Sequence, residues 1–137
     1  MTDRDDRNRQ IIEEFRANDG DVGGPFEGRD LLLLHHTGAK TGAERVNPLV
    51  YLRDARNYVI LASKAGAATN PDWYHNVRAN PDVTIEVGSQ TIPVRARVAA
   101  DDERERLWTA QKIASPQFAE YEASTARVIP VVVLEPT

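Results

Sequence analysis

The chain has 137 residues, enough for one domain with a single core and short of the length at which chains usually divide. Its composition, 41% hydrophobic and 28% charged, is that of an ordinary soluble globular protein, and a formal net charge of -4 gives no electrostatic basis for binding nucleic acid. Without cysteine, disulfides, thiol catalysis, Cys-ligated zinc and iron-sulfur clusters are excluded, so any redox chemistry needs a borrowed cofactor.

The opening residues, MTDRDDRNRQ, lack the apolar stretch of a secretory signal. No run approaches the roughly 20 apolar residues of a membrane span, so the chain reads as cytoplasmic, with a peripheral membrane contact by the N-terminal segment left open. Residues 8-18 place Ile11, Ile12 and Phe15 among charges with the spacing of a short amphipathic helix. Four glycines and a proline between Gly20 and Gly28 then form a lead-in loop.

Strands are expected after that: Leu31 to His36, Val46 to Leu52, Tyr58 to Ser63, Val83 to Val87, Ile92 to Ala99 and Val128 to Leu134. RDARNY and GSQ read as hairpin loops between neighbouring strands. Two segments break the pattern. NPDWYHNVRANPD suits a helical turn or two after Pro71 with Asn70 as cap, and DDERERLWTAQKIAS has the acidic start and apolar spacing of a helix. The expected fold is α+β: a small antiparallel β-barrel of about six strands carrying about three helices, in one domain over 1-137.

Neighbouring residues on a strand point to opposite faces, so His35 and His36 cannot chelate one metal together. With only His75 besides, no ligand set forms; one histidine is expected in the barrel wall and the other in solvent, with a strand-end histidine beside a cofactor loop left open. Asp101, Asp102, Glu103 and Glu105 read as a solvated helix start, and no G-x-S-x-G elbow supports a serine hydrolase. The lysines say more. Against fourteen arginines there are three lysines, and two of them, Lys40 and Lys64, lie in Gly-flanked loops at strand ends, TGAKTG and ASKAGAATNP. Glycines let backbone amides converge on an anion, and Lys40, Thr41 and Arg45 add donors, which together describe a cradle for a phosphate or a polycarboxylate. GAKTG is not a P-loop, because Ala39 precedes Lys40 and Asn47-Pro48 leads into a strand where a helix is required.

Taken together, FRANDGDVGGPFEG, LLLLHHTGAKTGAERVNPLVYL, ASKAGAATNPDWYHNVRANPDVTIEVG and RVIPVVVLEP closely resemble the deazaflavin (coenzyme F420)-dependent nitroreductase family, from about residue 8 to the C-terminus. The resemblance implies a split β-barrel related to that of FMN-binding proteins. It implies that Gly38, Lys40, Thr41, Gly42 and Arg45 grip the phosphate and oligoglutamate tail of coenzyme F420. Asn47, Pro48 and Leu49 would run under the ring, Ala62, Ser63, Lys64, Gly66 and Ala67 would oppose them, and Trp73 and Asn76 would also touch the cofactor. For Trp73 the residues alone point to core packing instead.

The same resemblance implies hydride transfer from the reduced deazaflavin to a quinone-like or nitro-type acceptor, with Ser63 beside the reacting face. SPQFAEYEAST resembles the family's substrate-pocket helix, making Tyr121 the polar aromatic over the acceptor. Val50, Ser115 and Phe118 stand where the nitroreductases carry tyrosines, which puts activity on bicyclic nitroimidazoles in doubt. Two other readings share the anion cradle: a non-catalytic deazaflavin carrier, and an FMN-binding split-barrel oxidoreductase. The density of cationic groups favours the long anionic tail of coenzyme F420 over the single phosphate of FMN.

Overall fold

The structure is a computed structural model that describes residues 3-23, 30-63 and 69-137, with residues 3-6 as backbone only. Its elements are α1 (Asp3–Ala17), β1 (Leu31–Thr37), β2 (Glu44–Val50), β3 (Leu52–Asp54), β4 (Asn57–Leu61), α2 (Asp72–Ala79), β5 (Asp82–Val87), β6 (Gln90–Val98), α3 (Asp101–Ala114), α4 (Gln117–Ala123) and β7 (Val131–Pro136). The seven strands form one antiparallel sheet in the order β2-β1-β5-β6-β7-β4-β3.

The expected strand Val46 to Leu52 divides at Tyr51, whose N–H donates to the Asp30 carbonyl at 3.1 Å instead of to a strand partner. That division carries the chain from one edge of the curled sheet to the other. β2 pairs with β1 at one end of the sheet order and β3 with β4 at the other, so one stretch of chain serves both edges. Beyond Val59, however, β4 is paired only with β7, and β2 is paired only with β1. A slot therefore separates β2 from the end of β4. Pro48, which cannot donate to a ladder, sits on that free edge as strand prolines must.

Alternation sorts the apolar side chains into three groups. Leu32 and Leu34 of β1, Tyr58, Ile60 and Ala62 at β4, and Val132 and Leu134 of β7 fill the barrel, which α2 plugs with Trp73, Tyr74 and Val77. Outside, Leu31 and Leu33 pack on Phe15 of α1, with Ile11, Ile12, Val46 and Val50 at the margin. On another outer face, Val59, Leu61, Val131 and Val133 meet Leu107 and Trp108 of α3 and Phe118 of α4. Buried apolar area at about 25 cal/mol per Å² makes these three clusters the main stabilising term.

Three boundaries differ from the sequence expectation. β7 starts at Val131, because Pro130 has no amide to donate and Val128 is 73% exposed. Asn70 does not cap α2; Pro71 occupies that position without a side-chain bond, and the Asn70 Oδ1 accepts a hydrogen bond from Arg127 instead. The helices number four among the described residues, since SPQFAEYEAST folds as α4. No helix among the described residues is long and apolar enough to cross a membrane.

Candidate functional site

Antiparallel pairing fixes which loops share an end of the barrel. β1 and β4 run the same way, so the β1–β2 loop, the residues after β4, the start of α2 and the start of β7 all gather at one end. That is also the end at which the slot opens.

The β1–β2 loop is shaped by its own hydrogen bonds. Gly38 N–H donates to the Ala43 carbonyl at 2.8 Å and Gly42 N–H to the Gly38 carbonyl at 2.9 Å, the latter closing one helical-type turn. Gly42 has φ of 72°, in the left-handed region. At Gly38 a Cβ would lie 2.6 Å from the Thr41 Oγ1, so a larger residue there would displace that side chain. That oxygen accepts from the Ala43 N–H at 3.2 Å, so Thr41 braces the turn from within. A turn of this kind leaves its leading amides without internal partners. The Ala39 amide donates to Asn76 Oδ1 at 2.9 Å, whereas those of Lys40 and Thr41 have no partner among the described residues.

Those two amides border a cleft of about 500 Å³ whose walls include Lys40, Arg45, Asp72, His75 and Asn76. Lys40 and Arg45 are exposed cations, and Asp72 is the one carboxylate among the residues lining it. A second cleft of about 360 Å³ shares Arg45 and Asp72 and continues over His36, Asn47 and Trp73 to Arg9 and Ile12 of α1.

Between the clefts lies a buried polar chain. Asn76 Nδ2 meets His36 Nδ1 at 3.0 Å, and His36 Nε2 meets Asn47 Oδ1 at 2.6 Å. His36 is 3% exposed, and burial is the main reason its pKa falls below the ordinary value; Arg45 and His35 act in the same direction, against the Asn47 bond and Asp72. His35 points the other way, onto Glu86, which Arg16 of α1 also holds. The two histidines thus take opposite faces, as strand geometry requires.

Across the slot, Ala62 is buried, its N–H donating to the Pro130 carbonyl at 3.0 Å. Ser63 is also buried, and its hydroxyl makes no hydrogen bond to a described residue. Its carbonyl accepts from Arg127 Nη2 at 2.7 Å, while Arg127 Nη1 donates to Asn70 Oδ1 at 2.8 Å. One guanidinium therefore holds both ends of the segment between β4 and α2. Lys64, Gly66 and Ala67 lie outside the described residues.

The structure brings Gly38, Lys40, Thr41, Arg45 and Asn76 to one cleft, and Asn47 and Trp73 to its neighbour. Trp73 belongs to the barrel core, as the residues alone suggest, and also lines the second cleft. Pro48 and Leu49 follow on β2, with Leu49 packed against the barrel core. The expected acceptor residues divide between two outer faces: Val50 lies in the α1 cluster, whereas Phe118 and Tyr121 join the α3–α4 cluster with ring centroids 5.1 Å apart, and Ser115 caps the end of α3. The sequence leaves open a strand-end histidine beside the glycine loop, and His36 is that residue; it does not single out Asp72 and Arg9, which line the clefts, or Arg127, whose partners lie 57 and 64 residues away, beyond any local pattern.

Seven antiparallel strands curled into a split barrel with four helices among the described residues place the chain, by fold, with the FMN-binding-like split barrels. Residues 7–136 match the F420H(2)-dependent quinone reductase family, and the chain belongs to it. An F420H(2)-dependent quinone reductase of Mycobacterium tuberculosis is 42% identical over 124 residues, covering 88% of this chain and 83% of the relative. Among solved structures, one described as an F420-H2 dependent reductase (FDR-A) is 40% identical with a TM-score of 0.72, covering 78% of this chain and 95% of that one. Another, described as a domain-swapped dimer, is 34% identical with a TM-score of 0.74, covering 98% of this chain and all of its own.

Proposed function

We propose that the chain is a single split-barrel domain in which the Gly38–Gly42 turn, Lys40 and Arg45 hold the anionic tail of coenzyme F420, with its ring in the slot between Asn47–Leu49 and Ala62–Ser63. The activity is that of an F420H(2)-dependent oxidoreductase acting on quinones. The observation that carries the tail assignment is the donor set. Lys40 and Thr41, whose amides have no partner among the described residues, line one cleft together with the exposed cations of Lys40 and Arg45.

When bound, the reduced coenzyme supplies the hydride, so the protein needs no redox side chain of its own. What the chain contributes is position. The Thr41-braced turn and Asn76 hold the amides in place, and Arg127 fixes the Ser63 carbonyl, leaving the Ser63 hydroxyl free to donate to the ring or to the acceptor. Tyr121 keeps an unpartnered hydroxyl among the described residues and is the acceptor-side candidate, while Phe118 acts through packing. With Val50, Ser115 and Phe118 supplying no aromatic hydroxyl, planar apolar quinones are favoured over polar nitro compounds.

Parallel titrations with coenzyme F420, FMN and NADPH, followed by fluorescence, test the assignment. Coenzyme F420 binds more tightly than FMN and loses affinity with salt, since exposed charges are screened over about 8 Å at physiological ionic strength. Lys40→Ala weakens that binding by about 1.5-3 kcal/mol and leaves the rate at saturating cofactor nearly unchanged. FMN affinity equal to or above that for coenzyme F420 overturns the reading.

A further inference from the structure

We infer that His36, held neutral as its Nε2–H tautomer, is a positioning residue that sets the anion-binding turn through Asn76, and that acid therefore loosens the grip on an anionic ligand. The inference rests on the reading of the Gly38–Gly42 turn as the tail site, and it follows from hydrogen-bond direction alone. The Ala39 amide can only donate, so the Asn76 atom 2.9 Å from it is the carbonyl oxygen. The Asn76 NH2 group must then face His36, at 3.0 Å from Nδ1, and that nitrogen must accept. The ring proton is left on Nε2, where Asn47 Oδ1 receives it at 2.6 Å. A single arrangement satisfies every group from the β2 edge to the loop amide.

Protonating His36 breaks that arrangement. A proton on Nδ1 would face the Asn76 NH2, and turning the amide over would set the NH2 against the Ala39 N–H. Either way one donor loses its acceptor in a buried chain, because His36 and Asn76 are 3% and 6% exposed. Among the described residues, the charged and titratable groups facing His36 and its clefts are Arg45 on β2, Asp72 and His75 on α2, His35 beside it on β1, Lys40 in the β1–β2 loop, and Arg9 on α1 across the cleft. Simple attraction would give the opposite sign, since a positive histidine near a cleft of cations draws a polyanion more strongly as pH falls. The sign of the pH dependence separates the two.

Two measurements test this. First, 15N NMR of the ligand-free protein reads the His36 tautomer: the Nε2–H form, persisting below pH 6.5, is expected, and an Nδ1–H form overturns the inference without reference to any cofactor. Second, the dissociation constant for coenzyme F420 is followed from pH 7.5 to 5. Wild type weakens as His36 takes up its proton, by up to about tenfold, a change matching one lost buried hydrogen bond, and His36→Gln, which cannot titrate, flattens the profile. Constant or tighter wild-type binding in acid, or the same slope in His36→Gln, overturns it. Absence of coenzyme F420 binding at every pH sinks the tail-site reading and this inference about the ligand with it, whereas binding with no pH dependence sinks the inference alone.

Discussion

Phe118 and Tyr121 are three residues apart on α4, yet their environments assign them different work. Phe118 is 6% exposed and stands edge-on to Trp108, with centroids 6.3 Å apart, so its ring is core. Truncation to alanine removes that packing and costs about 3-5 kcal/mol of stability. Tyr121 is half-buried with a free hydroxyl among the described residues, so Tyr121→Phe removes one polar atom and little packing. Denaturant unfolding and steady-state kinetics with a menadione-type quinone separate the two. Phe118→Ala shifts the unfolding midpoint; Tyr121→Phe leaves it in place and lowers quinone turnover about fivefold or more, if the hydroxyl meets the acceptor. An unchanged quinone rate in Tyr121→Phe removes that residue from the acceptor site.

At the scale of elements, the segment from β4 to α2 is held from outside itself. Arg127, on the approach to β7, bonds the Ser63 carbonyl and the Asn70 side chain together. Burial lowers the Arg127 pKa, yet a guanidinium stays charged at neutral pH, so these two bonds are charge-assisted. Arg127→Gln frees both ends at once, and single-turnover hydride transfer at saturating coenzyme slows about tenfold, in the same direction as Ser63→Ala. Arg127→Lys, which retains one charged donor, recovers part of the rate. A full rate in Arg127→Gln would show that the Ser63 carbonyl needs no fixing.

The same segment marks how far the sequence could be read. The glycine loop was legible because its cue is local: glycines, a lysine and flanking apolar runs lie within a dozen residues. Strand alternation likewise separated His35 from His36, whereas the unbroken run Leu31–Leu34 carries no alternation to show which leucines enter the barrel. The Arg127 clamp, the Asn70 acceptor and the division at Tyr51 are set by partners distant in the chain, so no window of sequence contains them. Asn70 before a proline-led helix has the pattern of a cap, but the guanidinium outcompetes the helix for its oxygen. Val50 and Tyr121 belong to one pocket by resemblance, while the fold sets them on faces covered by different helices.

For the whole molecule, the helices outside the barrel are pinned by arginine–carboxylate pairs, and these set its response to acid. Arg16 of α1 holds Glu86 of β5 at 2.7 Å; Arg97 of β6 holds Glu103 of α3 at 2.6 Å; Arg106 of α3 holds Asp54 of β3 at 2.9 Å. Hydrogen bonds from these guanidiniums lower the pKa of Glu86, Glu103 and Asp54 below their ordinary values of 4.5, 4.5 and 3.8. A depressed carboxylate stabilises the fold above its unfolded pKa and loses that contribution as pH falls through the folded one. Exposure of the arginines keeps each pair's contribution small and screened by salt.

His36 adds a limb of the same sign at higher pH. Its folded pKa is lowered from 6.5, so the unfolded chain takes up a proton first, and stability begins to fall as pH drops below about 6.5. The slope cannot exceed about 1.4 kcal/mol per pH unit for one proton, and it ends where the folded histidine itself protonates. Chemical denaturation in steps from pH 8 to 3 should therefore show two limbs: a shallow one from His36, insensitive to salt because the site is buried, and a steeper one below 4.5 that moderate salt reduces. His36→Gln removes the upper limb and leaves the lower, while Glu86→Gln reduces the lower and leaves the upper. A single limb confined to pH below 4.5 in the wild type would mean that His36 takes up its proton in the folded chain as readily as in the unfolded one, and that the buried chain from Asn47 to Ala39 tolerates the charge.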